Sequence, residues 1–67
     1  MKIKYDQEVD ILLIELSDSD IYESDESKPG VILDYDTEGS IVRIEILDAS
    51  KQTKTPFKFE YEMVSGE

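Results

Sequence analysis

Gly30 to Asp36, GVILDYD, and Ser40 to Leu47, SIVRIEIL, stand on either side of the short stretch Thr37-Glu38-Gly39. Both runs alternate and are rich in β-branched residues, which fit a pleated, half-buried surface, and the connection carries a glycine able to take positive φ. Together they predict a β-hairpin. On one face lie Val31, Leu33 and Tyr35 of the first strand and Val42, Ile44 and Ile46 of the second. Asp34, Arg43 and Glu45 belong to the other face, where Arg43 can pair with an acid across or along the sheet. Ahead of the hairpin, Lys28-Pro29-Gly30-Val31 is a type II turn signal, since proline presets φ at the second position and glycine accepts positive φ at the third.

Upstream, Lys2-Ile3-Lys4-Tyr5 alternates as a first edge strand should, with Ile3 and Tyr5 inward. Asp6-Gln7-Glu8-Val9 reads as a turn, because an aspartate carboxylate can accept from the backbone two residues on. Val9 to Leu16, VDILLIEL, carries two patterns. Val9, Leu12, Leu13 and Leu16 have helical spacing with Asp6 as a possible N-cap, whereas Asp10, Leu12, Ile14 and Leu16 form a period-two set. The short run and the neighbouring strand signal favour a strand. Its other set, Val9, Ile11, Leu13 and Glu15, is also largely apolar, so something must cover a second face.

Ser17 to Lys28 is acidic and serine-rich, a weak edge strand or a loop, in which only Ile21 and Tyr22 offer burial. After Leu47 the alternation breaks at Asp48 to Gln52, which suggests a turn or a single helical turn capped by Asp48. Phe57, Phe59, Tyr61 and Met63 then alternate with Lys58, Glu60 and Glu62, and predict an amphipathic strand that covers apolar surface. The fold class expected is mainly β, an antiparallel β-meander of about five strands in one domain spanning 1–67. One face is formed by Ile3, Tyr5, Leu12, Ile14, Leu16, Leu33, Tyr35, Val42, Ile44 and Ile46. The second apolar set, Val9, Ile11, Leu13, Ile32, Ile41 and Leu47, calls for the C-terminal strand or a second subunit to close over it.

Composition narrows the function. A folded chain of 67 residues buries only about 60% of its unfolded surface and is marginal alone. With zero Cys and zero His, disulfides and most structural metal sites are not available as support, which leaves oligomerisation, with a homodimer the simplest form. The absence of cysteine suits the cytoplasm. The longest apolar run, Ile11 to Ile14, is far too short to span a bilayer, and no secretory leader is legible. Seventeen acids against seven bases give a formal charge of −10, which repels phosphate backbones. Lys51, Lys54 and Lys58 are too sparse for a nucleic-acid platform, and a basic protein is the better electrostatic match.

No catalytic or cofactor-binding residues are assigned. Histidine and cysteine chemistry is excluded, and no serine sits in a strand-to-helix elbow. Asp34 with Asp36, or Glu15 across the sheet, are the only ordered carboxylates that could serve a hydrolase, and alternating acids on a strand are more often its solvated face. Asp18, Asp20, Glu23, Asp25 and Glu26 invite a calcium reading. They fail the EF-hand spacing, because Glu23 and Pro29 stand where Gly and the closing Glu are needed, so no metal site is assigned. The residues expected to meet a partner are Val9, Ile11, Leu13, Tyr22, Glu23, Asp25 and Tyr61, apolar or aromatic anchors with acids that would steer a basic protein.

The opening KIKYDQEVDILLIEL and the central PGVILDYDTEGSIVRIEILDAS resemble a family of small prokaryotic proteins catalogued as domain of unknown function twenty-two eighty-three. The likeness runs from Met1 to about Ser50. It implies a small sheet-rich fold and no established activity. Members are often encoded beside small toxin-like proteins, some similar to messenger-cleaving ribonucleases, which implies an antitoxin-like neutralising role. Many relatives carry small or aromatic residues where this chain has Ile11 and Leu13, and the Phe57 to Met63 stretch lies outside the shared region.

Overall fold

The computed structural model describes residues 1–54 and 58–66. In chain order the elements are β1 (Lys2–Asp6), β2 (Ile11–Glu15), β3 (Glu23–Lys28), β4 (Val31–Tyr35), β5 (Ile41–Leu47) and the single-turn helix α1 (Ala49–Gln52). Five antiparallel strands form one sheet in the order β1-β2-β5-β4-β3, the mainly β class that the alternating runs predict. A β1–β2 hairpin and a β3-β4-β5 meander are joined by the pairing of β2 with β5. This puts β5 at the centre.

The hairpin of β4 and β5 turns through residues whose chemistry suits the job. Asp36 Oδ1 accepts from the backbone N–H groups of Glu38 at 2.9 Å and Ser40 at 3.0 Å, and Gly39 takes φ +82. Gly30, at φ +86, fills the type II position after Pro29. At the other turn the Glu8 N–H donates to Asp6 Oδ1 at 3.0 Å, as the aspartate there predicts.

Val9 to Leu16 adopts the strand alternative, shortened to Ile11–Glu15. Asp10 is left-handed, φ 58, so it closes the turn and does not join the strand's inward set. Ser17 to Lys28 is part connection and part edge strand. The chain crosses one end of the sheet, where the Leu16 N–H donates to the Val42 carbonyl at 2.8 Å and the Tyr22 N–H to the Tyr35 carbonyl at 2.7 Å. β3 then forms the far edge, exposed throughout.

Two expectations are corrected. Asp48 occupies the N-cap position of α1 with φ 51 and makes no side-chain cap bond; the carboxylate that serves the helix is Asp10, which accepts from the Ser50 N–H at 3.0 Å and the Ser50 hydroxyl at 2.7 Å. The C-terminal amphipathic stretch is not a strand over 58–63, and Phe57 lies outside the described residues. Phe59 is 50% exposed and Tyr61 90%, and residues 58–63 are exposed throughout. Alternation says which side of a strand is apolar, but a strand also needs a free edge to pair with, and β5, from which the chain departs, already has β2 and β4 beside it.

The result is a single layer. Among the described residues only Val42 and Ala49 of the apolar ones are buried, and the most deeply buried side chain there is Asp34, 1% exposed. The radius of gyration, 13.3 Å, exceeds the value of about 11 Å for a compact domain of this length.

Candidate functional site

Register assigns the side chains to two unlike faces, because directly opposed residues share a side of the sheet. On the first, Ile3, Ile14, Ile44 and Leu33 form one row across four strands, and Tyr5, Leu12, Ile46 and Val31 form the next. Leu16, Val42 and Tyr35 continue the same alternation at one end. All of these side chains are apolar or aromatic, and the charges that border them, Asp25 and Lys28, belong to the edge strand β3. Only Val42 in this set is buried; the rest are half-buried or, like Ile3 and Leu16, exposed.

The second face is organised by charge. Lys2, Glu15, Arg43, Asp34 and Ser24 lie in one row spanning all five strands, with the sign alternating until it ends on a hydroxyl. Arg43 Nε donates to Asp34 Oδ2 at 2.8 Å, Arg43 Nη2 to Glu45 Oε2 at 3.2 Å, and the Ser24 hydroxyl to Asp34 Oδ1 at 2.5 Å. Lys4 approaches Glu15 at 4.0 Å. Burial pushes the Asp34 carboxyl up, but the Glu45 hydrogen bond, the Ser24 hydroxyl and the Arg43 guanidinium outweigh it and hold the group below its ordinary range. Glu45 goes the other way. Its hydrogen bond with Asp34, its burial and the nearby Asp34 charge raise it by more than Arg43 lowers it.

This network divides the second apolar set. Ile11, Leu13, Ile32 and Leu47 are half-buried beside the charged row, and Ile41 and Val9 are 38% and 58% exposed. They form islands divided by ion pairs. The pairing of Arg43 was legible in the sequence; the depth of Asp34 beneath it was not, because it depends on which strands flank β4.

A second cluster ties the first hairpin to α1. The Tyr5 hydroxyl donates to Asp10 Oδ1 at 2.5 Å, the Ser50 bonds converge on the same carboxylate, and the Ala49 N–H donates to the Asp10 carbonyl at 3.0 Å. Hydrogen bonds from Tyr5 and then Ser50 pull the Asp10 carboxyl below its usual range, and the bond to Asp10 raises the Tyr5 phenol.

The residues expected to meet a partner fall in three places. Ile11 and Leu13 lie on the charged face and Val9 in the turn before them. Tyr22, Glu23 and Asp25 come together with Tyr35, Asp36 and Thr37 around a hollow of about 420 Å³ at the β3 corner. Tyr61 stands apart in the C-terminal segment. The two hydrolase carboxylates do not converge: Asp34 is engaged by Ser24 and Arg43, and Asp36 by the loop amides. Among the described residues no group of three or more acids is placed to hold a metal ion, and no helix is long and apolar enough to cross a membrane.

Residues 2–50 match the model of a family described as a protein of unknown function, DUF2283. No curated protein and no solved structure matches the chain.

Proposed function

The chain belongs to that family of proteins of unknown function, a membership that carries no activity with it, and we propose from the geometry that this is a non-enzymatic association module that works as a homodimer in the cytoplasm. One observation carries the reading: two uninterrupted rows of apolar side chains cross β1, β2, β5 and β4, and each of their eight side chains stays half-buried or exposed. Five strands about 4.8 Å apart, each near 20 Å long, present a face of roughly 500 Å² in projection. The accessible area of such a corrugated surface approaches the roughly 800 Å² per partner of a standard interface. A second copy offers the same face, and two sheets pack at about 10 Å with aligned strands.

Sedimentation velocity across micromolar concentrations tests this. Wild type is expected to be a dimer, and Leu33→Asp, which places a charge in the middle of a row, a monomer. Ile3→Asp, at the 49% exposed rim of the face, is expected to weaken the dimer while leaving the monomer folded. A wild-type monomer throughout that range sinks the proposal.

The β3 corner favours a second reading alongside the first. Glu23 and Asp25 flank Tyr22, 70% exposed, around the hollow, with Asp18 and Asp20 on the preceding connection. This arrangement suits a basic protein, which the acids would steer and the tyrosine anchor, and it fits an antitoxin-like neutralising role. The association rate with such a partner is expected to fall steeply with added salt; a rate that ignores salt removes the acids from the explanation.

A further inference from the structure

We propose that the outer edge of β3 receives an extended basic segment of a partner protein as an added strand. This rests on the basic-partner reading of the β3 corner and names how the partner sits there. β3 ends the strand order with β4 on one side, and among the described residues no strand lies beyond it. The strand is exposed from Glu23 to Lys28. An open edge with main-chain groups turned outward is the usual template for strand addition.

Register settles which main-chain groups face outward. The Leu47 N–H donates to the Gly30 carbonyl at 2.9 Å, and in an antiparallel pair the bonded positions recur at every second residue. Ile32 and Asp34, opposite Glu45 and Arg43, therefore turn their main-chain groups toward β5, and Leu33 and Tyr35 turn theirs toward β3. The Tyr22 N–H on the Tyr35 carbonyl, at 2.7 Å, agrees with this. Asp25 pairs with Leu33 and Glu23 with Tyr35, so these two bond inward to β4. Ser24 and Glu26 alternate with them and offer their N–H and C=O groups to a newcomer.

Side chains choose the newcomer's chemistry. Along the edge the order Glu23, Ser24, Asp25, Glu26 runs acid, hydroxyl, acid, acid, on a chain of charge −10. Ser24 is engaged by Asp34, and Glu26 accepts from the Gly30 N–H at 3.1 Å. Among the described residues no cation of this chain pairs with Glu23 or Asp25. An antiparallel strand with a basic residue opposite each of Glu26, Asp25 and Glu23 neutralises all three, whereas a second copy of β3 would set acids against acids. Lys28, beyond the bulge, repels a further cation and so marks where the basic run stops. At the other end Glu23, Asp25 and Tyr35 share a side of the sheet and line, with Tyr22, the hollow of about 420 Å³. An arginine opposite Glu23 falls on that same side, where its guanidinium meets carboxylates and tyrosine rings together.

The probe is the peptide acetyl-Thr-Thr-Arg-Arg-Thr-Arg-Tyr-amide, whose arginines fall in turn opposite Glu26, Asp25 and Glu23, with a threonine opposite Ser24. At saturating peptide and low salt, amide exchange of Ser24 and Glu26 in the full-length wild type should slow by about tenfold or more, while Glu23 and Asp25 stay as they were. N-methylated peptides separate a strand from a mere cation. A methyl on the amide opposite Ser24 or Glu26 removes a bond to β3 and should weaken binding by roughly five- to tenfold. On the amide opposite Asp25 or Glu23 the methyl points to solvent and should change affinity by less than about twofold. Equal effects at both sets of positions, with binding still steeply salt-dependent, overturn the strand addition and spare the basic partner. No binding up to about 1 mM peptide also overturns it, and the basic-partner reading then answers to its own salt test. Ser24 and Glu26 amides that slow with protein concentration alone assign the edge to a second copy and overturn the proposal too.

Discussion

Asp10 shows how much a single carboxylate organises in so small a sheet. It sits in a left-handed turn, φ 58, from which it accepts hydrogen bonds from β1 and α1, forty residues apart in the case of Ser50. Asp10→Ala is expected to free the Ser50 amide, read as its hydrogen exchange rising to the level of the C-terminal segment. It should also return the Tyr5 phenol toward its ordinary range in an ultraviolet titration. No local pattern announces such a bond: a period-two reading placed Asp10 inside the strand, and the partner that fixes its true position arrives only once β2 and β5 lie side by side.

The Asp34–Arg43–Glu45 network sets the pH dependence, and its two acids act in opposite senses. Glu45 has a folded pKa above its reference of 4.5, so the folded chain binds a proton first and stability rises as pH falls from neutral toward that value. Asp34 and Asp10 lie below their reference of 3.8. The stability they contribute is present above that value and is lost as pH falls through their folded pKa values. Urea melts across pH should therefore show a maximum in the mildly acidic range, and Glu45→Gln should flatten the rise on its neutral side. Asp34→Ala removes the buried acceptor of both Ser24 and Arg43, and should lower stability by about 2–3 kcal/mol.

Among the elements, the β4–β5 hairpin was the most legible, because loop chemistry and alternation lie in one contiguous stretch. Gly39 has nothing within 4 Å of where a Cβ would stand and takes φ +82. Gly39→Ala is accordingly expected to cost about 1 kcal/mol through backbone strain alone, measured as a lower urea midpoint with unchanged slope. The strand between Ser17 and Lys28 was half legible. Its acidic composition fits an edge as well as a loop, and the decision came from β4, whose outer side had no other partner. The C-terminal segment misled for the complementary reason: its pattern is that of a strand, and its own chain supplies no ladder for it.

At the scale of the molecule, the apolar face was readable residue by residue from alternation. The charged row opposite it emerged only when register aligned five strands. Salt separates the two associations proposed for this molecule. Two copies of charge −10 repel, so raising ionic strength from about 20 to 500 mM should tighten the homodimer by screening, while the same change should loosen the grip on a basic partner. Sedimentation and binding titrations at matched salt should give slopes of opposite sign; slopes of like sign would mean that the two contacts do not differ in electrostatic character.

The acid-studded margin opposite β1 has a further consequence. Glu23, Asp25 and Glu26 line β3, and a strand from another molecule approaching there meets a fence of carboxylates. Sheet growth from that margin is thereby opposed. Replacing those three acids by their amides takes the fence away, and the variant should form thioflavin-positive fibres under conditions in which the wild type stays clear.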